Sequence, residues 1–242
     1  MAWKTKNPTN SMEKVIQLSN FDAVIFDMDG VLIDSEPLWK IAMEEVFTSL
    51  GSKLTKKDFE KTVGLRIDEV IRFWNKQENW NIDNIKKVED RIIDRMVELI
   101  RIHPKPLPGV TETLIFLSNQ KVKIGLATSS SSKLIEAVLE SLAIAKYFDF
   151  VHSAEFEDFG KPHPAVYIHV ANSLDVMPHK CLVIEDSFNG VIAGLSAKMK
   201  VVAIPEKTHI PNPKLAFADF MFDDLLQFKM YLDVDTICKQ GS

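Results

Sequence analysis

Ala23-Val24-Ile25-Phe26-Asp27-Met28-Asp29-Gly30 carries the strongest signal in the chain. An apolar run stops abruptly in two carboxylates and a glycine, which reads as a buried strand delivering charge at its C-terminal end. Asp27 and Asp29 are two apart, so extended backbone turns both to the same side. Neighbouring carboxylates repel unless a cation or a shared proton relieves them. Gly30 lets the chain turn away sharply. The combination points to a metal-assisted site with one carboxylate as nucleophile and the other as acid/base. A strand end followed by a polar turn is the plain alternative. An EF-hand calcium loop matches poorly, because the glycine follows the second Asp directly instead of standing at the sixth position.

Downstream of Gly30 the pattern turns helical. Leu38, Ile41, Ala42, Val46, Phe47 and Leu50 form an apolar face that stops at Gly51. Thr55 reads as the cap of a short helix holding Phe59 and Val63. Ile67, Val70, Ile71 and Trp74 mark another, and residues 85–100 a long one. Three prolines in 103–109 then break helix, since each removes a donor and biases its predecessor to extended backbone. From there strands (122–127, 150–153, 181–184, 201–204 and a short one at 219–221) alternate with helices (110–117, 132–142, 164–173, 188–197 and about 225–231). That alternation predicts an α/β fold, a Rossmann-like parallel sheet with helices on both faces. An all-helical insert interrupts it after the first strand. The expected division is an N-terminal extension (1–19), a core (20–37 and 103–242) and a helical insert (38–102), with hinges at 35–37 and 103–108.

Composition narrows the function. The chain has 242 residues, 46% hydrophobic, with a formal net charge of -5 and no basic stripe. Nucleic acid is therefore not an expected partner. No apolar run approaches the ~20 residues of a membrane helix. Residues 1–20 are polar and lack the apolar centre of a signal peptide, and the first ten read as a loose tail. Cys181 and Cys238 form no CxxC and no disulfide framework, which fits a reducing cytosol. A cytoplasmic location is expected, and separately a monomer. There is no Walker A loop, no GxGxxG and no GxSxG.

Other strands also end in chemistry. Residues 124–127 run into Thr128-Ser129-Ser130-Ser131-Ser132, hydroxyls and free N–H groups that suit a phosphate or simply cap a helix. Residues 182–184 end in Glu185-Asp186-Ser187, a second acidic pair offering hard oxygen ligands or a capped helix start. Gly160-Lys161-Pro162-His163-Pro164 places one lysine in a rigid segment, although a solvated surface position is the common fate of lysine. Together these ends supply what phosphoryl transfer needs: nucleophile, acid/base, phosphate-binding hydroxyl, cation ligand and fixed ammonium.

In these motifs the chain resembles the haloacid dehalogenase superfamily of phosphohydrolases: FDMDG (26–30), LATSS (126–130), GKPHP (160–164) and IEDSFNG (184–190). The stretches FDMDGVLIDSEPLW (26–39) and VGLRID (63–68) make it similar to the β-phosphoglucomutase-like branch. Within that branch it is most similar to phosphatases of 2-deoxyglucose-6-phosphate and hexitol phosphates. The resemblance implies that the insert is a cap domain, and that Asp27 attacks phosphorus to form an aspartyl-phosphate while Asp29 acts as acid and base. It implies Mg2+ held by the Asp27 carboxylate, the Asp29 backbone carbonyl and Asp186, with Glu185 close by as a further ligand. Thr128 and Ser129 would hold phosphate oxygens, and Lys161 would offset negative charge. A small phosphorylated molecule is the implied substrate.

Specificity should then lie in the cap, where Trp39, Arg66, Trp74 and Trp80 are candidates to meet the sugar. The spacing of Trp74 fits the apolar face and reads as cap core. Mutases of this branch carry a cap-helix histidine where this chain has Trp39, which favours a phosphatase. A phosphosugar mutase and a non-catalytic phosphate-binding module are the alternatives. The module has no need of Asp29.

Overall fold

A computed structural model describes residues 16–62, 65–205 and 212–240, with backbone alone for 233–240. The expected loose tail, Val63 and the side chain of Cys238 lie outside the described residues. Strand β1 (Ala23–Phe26) is fully buried. It sits at the centre of a six-stranded sheet with β2 (Lys123–Thr128), β3 (Phe150–Ser153), β4 (Cys181–Glu185), β5 (Lys200–Ala203) and β6 (Phe220–Met221). The order is β3-β2-β1-β4-β5-β6, and every neighbouring pair is parallel. The chain thus runs outward from β1 to one side and then to the other, which opens a crevice at the C-terminal end of β1.

Strand alternation splits the core between the two faces. Val24, Phe26, Leu126 and Ile184 face helices α4 (Val110–Ser118), α5 (Ser132–Ser141) and α8 (Leu225–Gln240). Ala23, Ile25 and Val183 face α6 (Ala165–Ser173) and α7 (Phe188–Ser196). Register matters most at the strand ends. Phe26 pairs with Leu126 on one side and Ile184 on the other, so Asp27 comes out level with Ala127 and Glu185.

Between β1 and α4 stand α1 (Glu36–Thr48), α2 (Ile67–Glu78) and α3 (Ile85–Ile102). The segment capped by Thr55 is a 3-10 helix, Asp58–Thr62, instead of an α-helical turn; the Asp58 carboxylate accepts from both the N–H and the hydroxyl of Thr55. The two connections between insert and sheet run side by side: Leu107 N–H donates to Leu32 O and Asp34 N–H to Lys105 O. Trp74 and Trp80 are buried. Trp80 packs on Phe47 with ring centroids 4.7 Å apart, and Trp74 meets Phe59 edge-on at 6.5 Å. Both pack the insert, and neither lines the cavity described below.

Two boundaries differ from expectation. Helix α8 runs on to Gln240, because residues 232–240 hold no glycine or proline to stop it. The polar extension is packed at its end, where Ile16 is fully buried and its N–H donates to the Tyr231 hydroxyl at 3.3 Å. Trp80→Ala should lower the free energy of unfolding by about 3–5 kcal/mol, the range for truncating a buried aromatic. Urea denaturation reads this directly, and an unchanged midpoint would show that the insert does not depend on the Phe47–Trp80 pair.

Candidate active site

The strand ends and the insert enclose one cavity, whose floor includes Asp27, Asp29, Thr128, Lys161 and Asp186. Strand β1 has already ended at Phe26, yet both aspartates still reach the same space, as their spacing predicts. Ser129 also lines it, and Trp39 and Arg66 line it from the insert side.

At its centre is a buried ammonium. Lys161 Nζ lies 2.9 Å from Asp27 Oδ1 and 2.7 Å from Glu185 Oε1, and donates to Ala127 O at 3.1 Å. Burial disfavours the charged lysine, but Asp27 and Glu185 outweigh it and raise its pKa above the ordinary lysine value. Glu185 is fully buried. Its Oε1 also accepts from the Tyr167 hydroxyl at 2.7 Å, while Oε2 accepts from the N–H groups of Asp186 and Ser187 and from the Ser187 hydroxyl. A carboxylate has about four lone-pair sites, so the donors around Glu185 use them up. Burial works against its charge, yet Lys161 and these donors hold its pKa below the ordinary value. Gly190 permits this packing: a Cβ there would come 1.7 Å from Glu185 Oε1.

Asp27 is poised differently. The Lys161 contact has the distance of an ion pair without the direction of a hydrogen bond, and Asp27 Oδ1 is buried with no donor. Burial pushes its carboxyl up to about 7, against the pull of Lys161 and with added repulsion from Glu185 and Asp29. Carboxylate oxygens of Asp27, Glu185 and Asp186 lie within 4.8 Å of one another. Gly30, at φ +72°, turns the chain so that Asp186 Oδ2 sits 2.1 Å from where a Cβ would stand. An acceptor-rich pocket with a donorless buried oxygen fits a hard cation such as Mg2+.

Asp29 is held from both sides. Its Oδ1 accepts from Ser35 Oγ (2.5 Å) and Trp39 Nε1 (3.3 Å), and its Oδ2 from Ser130 Oγ (2.6 Å). Ser35 precedes α1 and Ser130 follows β2, so one carboxylate ties the insert to the sheet. Thr128 Oγ1 accepts from Ser130 N–H at 3.1 Å, which leaves its own proton to donate. Arg66 pairs with Asp68 at 3.3 Å. Ser35, Ser130 and Tyr167 join the site although the sequence pattern does not single them out individually. Ser130 stood inside the hydroxyl run already singled out, whereas Tyr167 carries no signal short of the folded helix.

Comparison with known proteins identifies the family. A family model described as haloacid dehalogenase-like hydrolase matches residues 24–204. The chain belongs to that family and is an enzyme of the hydrolase class. Among its relatives, hexitol phosphatase B of Escherichia coli K12 is 38% identical over 206 residues, covering 85% of this chain and 93% of that one. A phosphorylated carbohydrates phosphatase of Thermotoga maritima is 35% identical over 177 residues, covering 73% and 81%. The solved β-phosphoglucomutase of Clostridium difficile superposes with a TM-score of 0.76 at 27% identity, covering 92% of this chain and all of that one.

Tyr167→Phe removes a donor from a buried, charged acceptor. It should cost about 1.5–3 kcal/mol of stability, the usual worth of a hydrogen bond to a charged group. Thermal or urea denaturation checks this, and a variant as stable as the parent would show that the hydroxyl is not needed to hold Glu185.

Proposed function

We propose that this chain is a Mg2+-dependent phosphatase of small sugar phosphates, of the hexitol phosphate or 2-deoxyglucose-6-phosphate type. The observation that carries the reading is the pairing of two differently held carboxylates over one floor. Asp27 is buried, short of donors and beside Lys161; Asp29 is steered by three donors toward the cavity. The names of the relatives support the substrate class.

In this mechanism Thr128 Oγ1 and the Ser129 N–H hold the non-bridging phosphate oxygens, and the Lys161 ammonium balances their charge. An Asp27 oxygen attacks phosphorus. The bond to the leaving oxygen breaks, and Asp29 gives that oxygen its proton, so the sugar departs as an alcohol. Asp29 then takes a proton from the water that attacks the aspartyl-phosphate, and Asp27 is regenerated as phosphate leaves. Mg2+, resting on the Asp27 carboxylate, the Asp29 carbonyl and Asp186, would neutralise charge that otherwise keeps a dianion out. Glu185 contributes charge to that cluster and anchors Lys161.

The insert, 38–102, acts here as a cap that closes over the substrate and reads its sugar through Trp39 and Arg66. The likeness to β-phosphoglucomutase raises a mutase reading. Trp39 speaks against it, because its indole N–H points at Asp29 where mutases of this branch carry a histidine. The buried, free Cys181 supports a reducing, cytoplasmic setting.

Phosphate release from p-nitrophenyl phosphate and a panel of sugar phosphates, ranked by kcat/KM, tests the reading. Isomerised sugar phosphate without free phosphate would replace it with a mutase. Asp27→Asn should abolish turnover and the acid-labile phosphoenzyme. Asp29→Asn should lower kcat by about 10²–10⁴-fold, the span of a positioned acid/base; a loss under about tenfold removes that role. Chelation with EDTA should abolish activity and added Mg2+ restore it.

Proton and cation compete for Asp27. Because its carboxyl is raised to about 7, Mg2+ affinity should climb by up to about tenfold per pH unit below that value and level off above it. Titration calorimetry at several pH values checks this. A flat profile between pH 5 and pH 8 would show that Asp27 is not a ligand.

A further inference from the structure

Away from the cavity, His152, Glu157 and His169 form a second polar cluster. His152 lies on β3, the edge strand, and His169 on α6, which packs beneath it. His152 Nε2 is 2.7 Å and His169 Nδ1 3.0 Å from the same oxygen, Glu157 Oε1. The imidazoles stack with centroids 3.7 Å apart, and Phe150 lies parallel to both. His152 and the Glu157 side chain are largely buried, whereas His169 is half exposed. Nothing in the proposed phosphatase chemistry uses these three groups.

We propose that His152, Glu157 and His169 are a transition-metal site, taking Zn2+ or an ion of similar preference. Two ring nitrogens and a carboxylate oxygen already converge within 4.8 Å. Ligands on a tetrahedral Zn2+ sit about 2.0–2.2 Å from the ion, and a ring nitrogen binds along the plane of its ring, so an ion between the three atoms requires them to part and one ring to turn out of the stack. The half-exposed His169 ring supplies that freedom by tilting. Each ring must present a lone pair toward Glu157, with its proton on the other nitrogen. Solvent can complete the fourth position on the open side.

The donor set separates this site from the one at Asp27. Imidazole nitrogens favour Zn2+, Ni2+ or Co2+, whereas an all-oxygen set favours Mg2+. The location gives the ion a consequence. Glu157 lies on the connection that also carries Glu155, which accepts from Ser132 at the start of α5, and Lys161. An ion at Glu157 would pin the middle of that connection to β3 and α6.

Zn2+ titration of the full chain in excess Mg2+ tests the site. A single Zn2+ per chain is expected for the parent and for Asp27→Asn alike. His169→Ala and Glu157→Gln should each weaken it by more than the roughly 10- to 100-fold that loss of an outer partner of a metal ligand costs. In the unmodified chain, the imidazole 15N resonances of His152 and His169 should shift together on adding Zn2+. No uptake by the parent chain would overturn the proposal. So would uptake that vanishes in Asp27→Asn, or histidine resonances that do not move.

Discussion

One buried ammonium organises this site. Lys161 is inserted between Asp27 and Glu185 at the ends of two adjacent parallel strands, with the Ala127 carbonyl as its third partner. Two carboxylates brought side by side by strand register would repel strongly where water is excluded. Glu185 escapes that cost because its oxygens are saturated by donors from Lys161, Tyr167 and the start of α7. Asp27 does not, and the difference is chemical in consequence. The saturated carboxylate has its acceptor positions filled, whereas Asp27 keeps a buried oxygen without a hydrogen-bond donor at the edge of the cavity.

Asp29 is held differently, by donors that fix its direction. A carboxylate with both oxygens already accepting hydrogen bonds has a fixed orientation. Its donors come from the insert through Ser35 and Trp39, and from the sheet through Ser130. Any motion of α1 relative to the sheet therefore changes the donors at Asp29. The position of α1 and the orientation of the Asp29 carboxylate are coupled by contact, with no longer path needed. Trp39 belongs to both: it lines the cavity on the insert side and donates to the group that would handle the leaving oxygen.

Much of this could be read from sequence, and the division follows from range. The apolar runs 23–26 and 181–185 ending in acids, the hydroxyl run at 128–132 and the proline break at 103–109 are local signals, and each lands where expected. Parallel register then carries Asp27 and Glu185 level without further information. The supporting residues were not legible, because their roles depend on contacts far apart in the chain. Ser130 lies 101 residues from Asp29, and Tyr167 18 from Glu185 across a strand–helix packing. Trp80 reads as a candidate for the sugar because composition cannot say which way an indole faces; in the fold it packs on Phe47.

The connection from β3 to Lys161 shows how one short segment can serve two chemistries. Glu155 turns toward the cavity and the start of α5, while Glu157, two residues on, turns back to the imidazoles of β3 and α6. The intervening 3-10 turn, Ala154–Phe156, breaks strand alternation, so residues two apart no longer share a side. The opposite holds just after β1, where Asp27 and Asp29 stay together although the strand has ended. Lateral contacts hold that pair there: the Lys161 ion pair and the backbone bond from Asp27 N–H to Ile184 O for Asp27, and three side-chain donors for Asp29. Spacing thus locates both acidic residues, and the packing of distant elements decides which of them is left with an oxygen to use.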